Sequence, residues 1–448
     1  MRCACFLLCL VLNTIAAFAS EVEPSAGGWI ASASRPEVRP SFRHNAGTFV
    51  IQTDQRDGLD GFWERSFDVQ GGTWYQVEAL RRVTGSEWPQ QSAPITLQWI
   101  GADGQRVVDD RPLVSGYLTK YKPLAPLEYA VEGPPTADGW THLTGHWQAP
   151  STATKAVVQL HGRWAPRTTF EWKAVRFEKA EAPRPRKVRL ATVHYQPRSG
   201  RLPEEKRVQF APFIAEAGKL KADLVVLPET LTYYGTDLKP AELAEPVPGP
   251  SSDYFAALAR QHNLYIVAGL FERDAHKVYN VAVLLTPEGN IGGKYRKVAL
   301  PDSEASAGVV PGQEYPVFQT RFGTLGMMVC YDGFFPEVAR ELVKRGAEVI
   351  AWPVWGCNPD LARARAAENH VYLVSSTYED VSSHWMLTAV WDQTGQLAAQ
   401  AKDWGTVAIA EVDLNATTRW RSLGDFKSKI SHHVPMIPAR DRFDSLPH

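Results

Sequence analysis

Between residues 21 and 180, apolar and polar positions alternate in short runs. Stretches 62–69, 74–80, 95–100, 140–147, 156–160 and 169–172 each put every second side chain on one face, the signature of half-buried strands. Gly71-Gly72, Gly101-Ala102-Asp103-Gly104 and Gly133-Pro134-Pro135 separate them as turns. Many short strands with turns between them predict an all-β sandwich over 21–180. Nine of the fifteen tryptophans precede residue 180. At period-two positions they read first as core, with a sugar-stacking face as the alternative.

Residues 181–187 (Glu-Ala-Pro-Arg-Pro-Arg-Lys) form a stiff polar linker, and beyond it the period changes. Stretch 188–193 reads as a strand, 203–220 as an amphipathic helix, and 222–229 as an apolar strand that ends on Glu229. A helix over 251–262 follows, then strands over 264–271 and 280–285. A turn at Pro287-Glu288-Gly289-Asn290 leads into the strand that carries Lys297. A buried strand over 324–329 delivers Cys330 to a sharp turn, and a helix starts at Pro336. Strand 348–353, helix 360–370 and strands 371–376, 385–391, 397–401 and 406–412 follow. Strands alternating with helices and then running on alone predict a layered α/β domain over 188–434, with 435–448 as a tail.

The length of 448 residues agrees with two domains, and 44% hydrophobic with 22% charged residues is the balance of a globular protein. A formal net charge of −1 without a basic stripe argues against nucleic acid and anionic membrane as partners. Residues 1–19 read as a secretory signal: Arg2, an apolar run over 5–15, then Ala17-Phe18-Ala19 as a small-x-small cleavage pattern. No later stretch is long and apolar enough to span a bilayer. The expected location is therefore secreted or periplasmic. Removing the signal takes Cys3, Cys5 and Cys9 with it, leaving Cys330 and Cys357 as two free thiols. The histidines are scattered and no metal-binding spacing occurs, so neither metal nor cofactor is expected.

Three segments carry the chemistry: Leu227-Pro228-Glu229, Lys294-Tyr295-Arg296-Lys297 and Cys330-Tyr331-Asp332. In this order and at these separations they resemble the carbon-nitrogen hydrolase (nitrilase-like) superfamily and its Glu-Lys-Cys triad, from about residue 188 to 434. The resemblance implies a four-layer α-β-β-α sandwich preceded by the all-β sandwich, the latter similar to galactose-binding-like jelly rolls that often take a carbohydrate. It also implies a homodimer, with 420–435 as an arm laid across the partner. The expected reaction is hydrolysis of a small amide or N-carbamoyl substrate.

On that reading Cys330 is the nucleophile, its thiol acidified by Lys297. Lys297 and the backbone N–H of Tyr331 hold the oxyanion, and Glu229 carries protons. Lys294 and Arg296 fit solvated positions. Family members often add a second glutamate. Glu304 is the candidate here, although its spacing to Pro311-Gly312 is longer than in the relatives and Ala307 occupies the shorter register. Trp352 and Trp355 stand where family members form the substrate pocket, and core packing explains either equally well. Arg365 and Glu368 read as a structural pair. True nitrilases usually carry Cys-Trp-Glu at the nucleophile, so Cys-Tyr-Asp favours amides. The alternatives are nitrile hydrolysis by the same triad, a cysteine enzyme with His370 or His384 as base, and a secreted carbohydrate-binding protein with an inactive hydrolase-like half.

Overall fold

The computed structural model describes residues 25–114 and 123–436. The predicted signal, the three cysteines in it, and all but two residues of the predicted tail lie outside the described residues.

Residues 25–180 form two six-stranded antiparallel sheets. One orders Ser25–Ala26, Trp29–Ala33, Asp60–Asp68, Lys155–Arg163, Ile95–Ile100 and Glu128–Tyr129. The other orders Ser41–Asn45, Thr48–Gln52, Thr169–Ala180, Trp74–Thr84, Thr141–Gln148 and Val131–Pro135. Their inward residues share one core that includes Trp29, Trp63, Trp99, Trp147 and Trp172, so period two did mark packing positions for these rings. Strands over 29–33, 41–45, 48–52 and 131–135 escaped the pattern. Several are half exposed on both faces and carry no clean alternation.

After residue 186 come two mixed six-stranded sheets, each with three parallel strands at its centre. In the first, Lys187–His194, Leu224–Val226 and Tyr265–Asp274 run parallel, flanked by Thr406–Asp413 on one side and by Lys277–Leu285 and Ile291–Arg296 on the other. In the second, Thr324–Met327, Val349–Pro353 and Tyr372–Ser376 are parallel. They are flanked by Val317–Gln319 and by the Thr388–Trp391 and Leu397–Ala401 pair. Leu190, Val226, Val267 and Leu284 of the first share a core with Met327, Ala351 and Leu373 of the second. Thr192 Oγ1 donates to Ser375 O at 2.7 Å and Ser376 Oγ to Val193 O at 2.6 Å, tying the sheets together. Helices Ala211–Lys219 and Pro250–His262 cover the far face of the first sheet, where Phe210, Ile214, Phe255 and Ala259 meet Val193, Val225 and Ile266. Helices Pro336–Lys344 and Pro359–Asn369 pack on the second through Val338, Leu342, Ala362 and Ala366.

The helix predicted over 203–220 is broken into Pro203–Arg207, a 3-10 turn Val208–Phe210, and Ala211–Lys219. Pro212 lacks an N–H and cannot continue the hydrogen-bond ladder. Lys294 and Arg296 are only partly solvated: both also pair with the buried carboxylate of Glu272. The helix Phe426–His433, within the predicted partner arm, packs on this chain's own N-terminal residues. His432 there meets Gln90 O at 2.7 Å and Ala130 O at 3.0 Å.

Candidate active site

The carboxyl ends of the parallel strands in both sheets converge, the usual place for a site in α/β architectures. Glu229 follows Leu224–Val226, Cys330 follows Thr324–Met327, Trp355 follows Val349–Pro353, and Tyr378 follows Tyr372–Ser376. Lys297 arrives from the other side, one residue past Ile291–Arg296.

Glu229 is almost fully buried and fully hydrogen-bonded. Its Oε1 accepts from Asn280 Nδ2 at 2.7 Å and from Lys297 Nζ at 3.0 Å. Its Oε2 accepts from the backbone N–H of Trp355 at 2.7 Å, and its carbonyl accepts from Tyr378 Oη at 2.7 Å. The backbone around it is drawn tight. Thr230 holds φ +41°, and a Cβ on Gly269 would lie 2.5 Å from Glu229 Cα, so only glycine lets the neighbouring strand this close.

Lys297 is sealed from solvent and also donates to Glu304 Oε1 at 2.5 Å. Burial disfavours its charge, but Glu229, Cys330 and Glu304 outweigh that and raise its pKa, so it stays an ammonium. Glu304, on the short helix Asp302–Ser306, accepts from Asn280 Nδ2 at 3.2 Å as well. Burial and the charge of Glu229 raise its pKa against the pull of Lys297.

Cys330 sits at φ +41°, a strained backbone for a residue with a Cβ, at the start of the 3-10 turn Cys330–Phe334. Its sulfur lies 3.5 Å from Gly356 O. Burial, then the charge of Glu229, push the thiol pKa up, while Lys297 and the peptide groups of Gly356 and Trp355 pull it down. Lys297 acts in the direction the sequence predicts, but burial and Glu229 outweigh it and the net direction is upward. Lys297 is shared between two carboxylates, and its field does not reach the sulfur unopposed. Cys357 is the other free cysteine among the described residues and is buried. Tyr331 places its amide in the first turn after Cys330, where N–H groups lack helical partners.

Trp352 does not line the opening. It is fully buried, its ring lies under Gly333, and its Nε1 donates to Cys330 O at 3.3 Å, so it braces the nucleophile turn. Trp355 is 36% exposed, its ring 5.1 Å from Tyr234 and 5.3 Å from Tyr378. Arg365 pairs with Glu368 at 2.9 Å and donates to Gly333 O at 3.2 Å, a second brace on the turn. His370 accepts from Trp420 Nε1 at 3.0 Å, and no histidine contacts the Cys330 sulfur among the described residues. The described residues also hold no group of three or more metal-ligating side chains.

Three contributors were not singled out from sequence: Asn280, Tyr378 and Asp332. Asn280 had a signal, as the one amide in the apolar run 278–285; a polar group there needs a buried partner. Asp332 was noted only as part of a motif. Its Oδ2 accepts from Val329 N and Tyr295 Oη, both at 2.8 Å, and its Oδ1 from Ala299 N at 2.9 Å. It thereby locks the cysteine turn to the segment on either side of Lys297.

Full burial raises the Asp332 pKa to about 6 despite these three donors. With the folded pKa above the ordinary 3.8, its contribution to stability is complete below pH 3.8 and is lost as pH rises through about 6. The difference in unfolding free energy between the parent and Asp332→Asn is therefore expected to shrink by about 2 kcal/mol between pH 4.5 and 7. Urea melts at the two pH values check this; a difference that grows would contradict it.

The chain matches the carbon-nitrogen hydrolase family over residues 189–422. It belongs to that family, and it is a hydrolase acting on carbon–nitrogen bonds other than peptide bonds. It is 29% identical over 250 residues to the omega-amidase NIT2 of Mus musculus, covering 50% of this chain and 88% of that one. It is 39% identical over 181 residues to a nitrilase of Pyrococcus abyssi, covering 39% of this chain and 69% of that one. The solved structure of Saccharomyces cerevisiae Nit3 aligns with a TM-score of 0.46 at 25% identity, over 57% of this chain and 97% of that one. No described helix is long and apolar enough to cross a membrane.

Proposed function

We propose that the protein hydrolyses small carboxamides or N-carbamoyl compounds through a thioester on Cys330, releasing ammonia or an amine. One observation carries this reading. The Trp355-Gly356 dipeptide gives its first N–H to Glu229 and its second carbonyl to the Cys330 sulfur, holding acid and thiol side by side with Lys297 against them.

The thiol starts protonated, so attack on the substrate carbonyl is coupled to proton transfer from Sγ to Glu229. The new C–S bond leaves an oxyanion, held by Lys297 Nζ and the Tyr331 N–H, each such donor lowering the barrier by roughly 3 kcal/mol. Collapse breaks the C–N bond, and Glu229 returns its proton to the departing nitrogen. Glu229 then deprotonates a water that attacks the thioester; the acid leaves and Cys330 is a thiol again. Glu304 and Asn280 keep Lys297 and Glu229 in register. Cys330-Tyr331-Asp332 in place of Cys-Trp-Glu supports amides over nitriles.

The architectural reading goes with it: a secretory signal over 1–19, a galactose-binding-like sandwich over 21–180, the linker 181–187, and a four-layer α-β-β-α hydrolase domain over 188–434 that dimerises. Antiparallel sheets around one aromatic core, and helices on the outer faces of the two mixed sheets, support it. The exported protein is expected to begin at Ser20 by intact mass.

The test of function is ammonia release from a panel of primary amides, ureido acids and nitriles, with rapid-quench mass spectrometry of the Cys330 peptide. Turnover of amides or ureido acids with an acyl adduct on Cys330 is the expected result. Turnover confined to nitriles overturns the substrate class, and turnover without an adduct overturns the thioester.

A further inference from the structure

A carboxylate that the reaction above does not use stands against the residue that contacts the sulfur. A Cβ built on Gly356 would lie 2.2 Å from Trp385 Nε1 and 3.3 Å from Glu379 Oε1. The carbonyl of the same glycine is the one that meets Cys330 Sγ at 3.5 Å. Glu379 thus reaches the residue that touches the nucleophile. Among the described residues no hydrogen bond or ion pair occupies its side chain; only its backbone N–H is engaged, with Thr377 Oγ1 at 3.2 Å.

Aromatic rings surround this carboxylate. Trp385 is 42% exposed and lies 6.3 Å from Phe334, which is itself exposed. Trp355 and Tyr378 pack on Tyr234, whose pKa burial raises, with Arg198 pulling it down and Glu379 pushing it up. Deeper in, a single ammonium, Lys297, faces two carboxylates. The rim does hold a cation, Arg198, but it is exposed and bound to Gln196 Oε1 at 2.7 Å. An unpaired carboxylate among exposed indole and phenyl faces, above a site already rich in negative charge, attracts cations and repels anions.

We propose that Glu379, with Trp385 and Trp355, makes this site selective for amides that carry an ammonium or guanidinium group a short chain away from the scissile bond. The inference rests on the hydrolase reading of Cys330. A cationic tail would pair with Glu379 and lie on the two indoles, while its amide carbonyl reaches Lys297 and the Tyr331 N–H. Carboxylate-bearing amides would meet Glu379 in the same place and be rejected.

The test compares ω-aminovaleramide, its neutral isostere hexanamide and the anionic adipamate on the parent and on Glu379→Gln. The parent is expected to favour the cationic amide over hexanamide at least tenfold in kcat/KM, with adipamate slowest. Glu379→Gln should lower kcat/KM for the cationic amide about tenfold more than for hexanamide. A preference for adipamate, or an unchanged ratio in the variant, overturns the proposal. Binding of the same compounds to Cys330→Ala, followed by tryptophan fluorescence, reads recognition apart from chemistry. Charge discrimination there without turnover in the parent would remove the proposed reaction and keep the recognition. Equal binding of all three would remove the recognition.

Discussion

Cys330→Ala is expected to lower kcat/KM for amide hydrolysis by about ten-thousandfold or more, because it removes the thiol that sits in the fields of Lys297 and Glu229. The fold should survive, for the turn is held from elsewhere: Asp332 by three donors, Trp352 under the Cys330 carbonyl, and Arg365 on Gly333. Those braces maintain φ +41° at position 330. Alanine inherits the strain while losing the thiol, whereas glycine adopts this backbone freely. Cys330→Gly should accordingly be about 1 kcal/mol more stable than Cys330→Ala, the released strain exceeding the extra entropy of a glycine in the unfolded chain. Ammonia release and thermal melts of the two variants check both statements. Residual turnover within tenfold of the parent in either variant would remove Cys330 from the chemistry.

The strain at Cys330 was legible as a sharp turn after an apolar strand, and Glu229 as an acid closing another. Both signals are local, as was the long apolar run around Asn280. Their convergence is not local. Glu229 and Lys297 are 68 positions apart and meet only because the strands bearing them lie in one sheet. The motif order made that meeting readable by resemblance, where periodicity alone could not. The net direction at the thiol was not legible, because a pKa depends on distances to every charge around it. Lys297 was visible as a neighbouring cation, but its division between Glu229 and Glu304 was not. Trp352 and Trp355 were indistinguishable in sequence. Three residues apart at the end of one strand, one ring turns inward under Gly333, and the other stays at the surface. The backbone N–H of Trp355 on Glu229 leaves no mark on residue identity at all. The same holds for Glu272, whose burial recruits Lys294 and Arg296 from positions that alternate like a solvated edge.

Lys297→Met is expected to damage both activity and stability, for separable reasons. The side chain fits the space left by the aliphatic stem but supplies no charge, so the oxyanion keeps only the Tyr331 N–H. Loss of one such donor typically costs 10²–10³ in kcat; with the proton balance of Glu229 also disturbed, a fall of roughly a thousandfold is expected. Stability suffers because Glu229 and Glu304, each bonded to Lys297 and both linked by Asn280, are left facing one another without a cation. Removing one partner of a buried ion pair costs about 3 kcal/mol. Glu304 already has its pKa raised by burial and by Glu229, and without Lys297 it rises further. A carboxyl whose folded pKa is raised contributes stability at low pH and loses it as pH climbs through that value. The deficit of Lys297→Met should therefore be larger at pH 8 than at pH 5.5, as read by urea unfolding. Adding Glu304→Gln to the variant removes one of the two opposed charges and should restore much of the stability at pH 8 while leaving kcat as low as before. If activity returned together with stability, Lys297 would be a counter-ion that holds the cavity together and not a donor to the reacting oxygen.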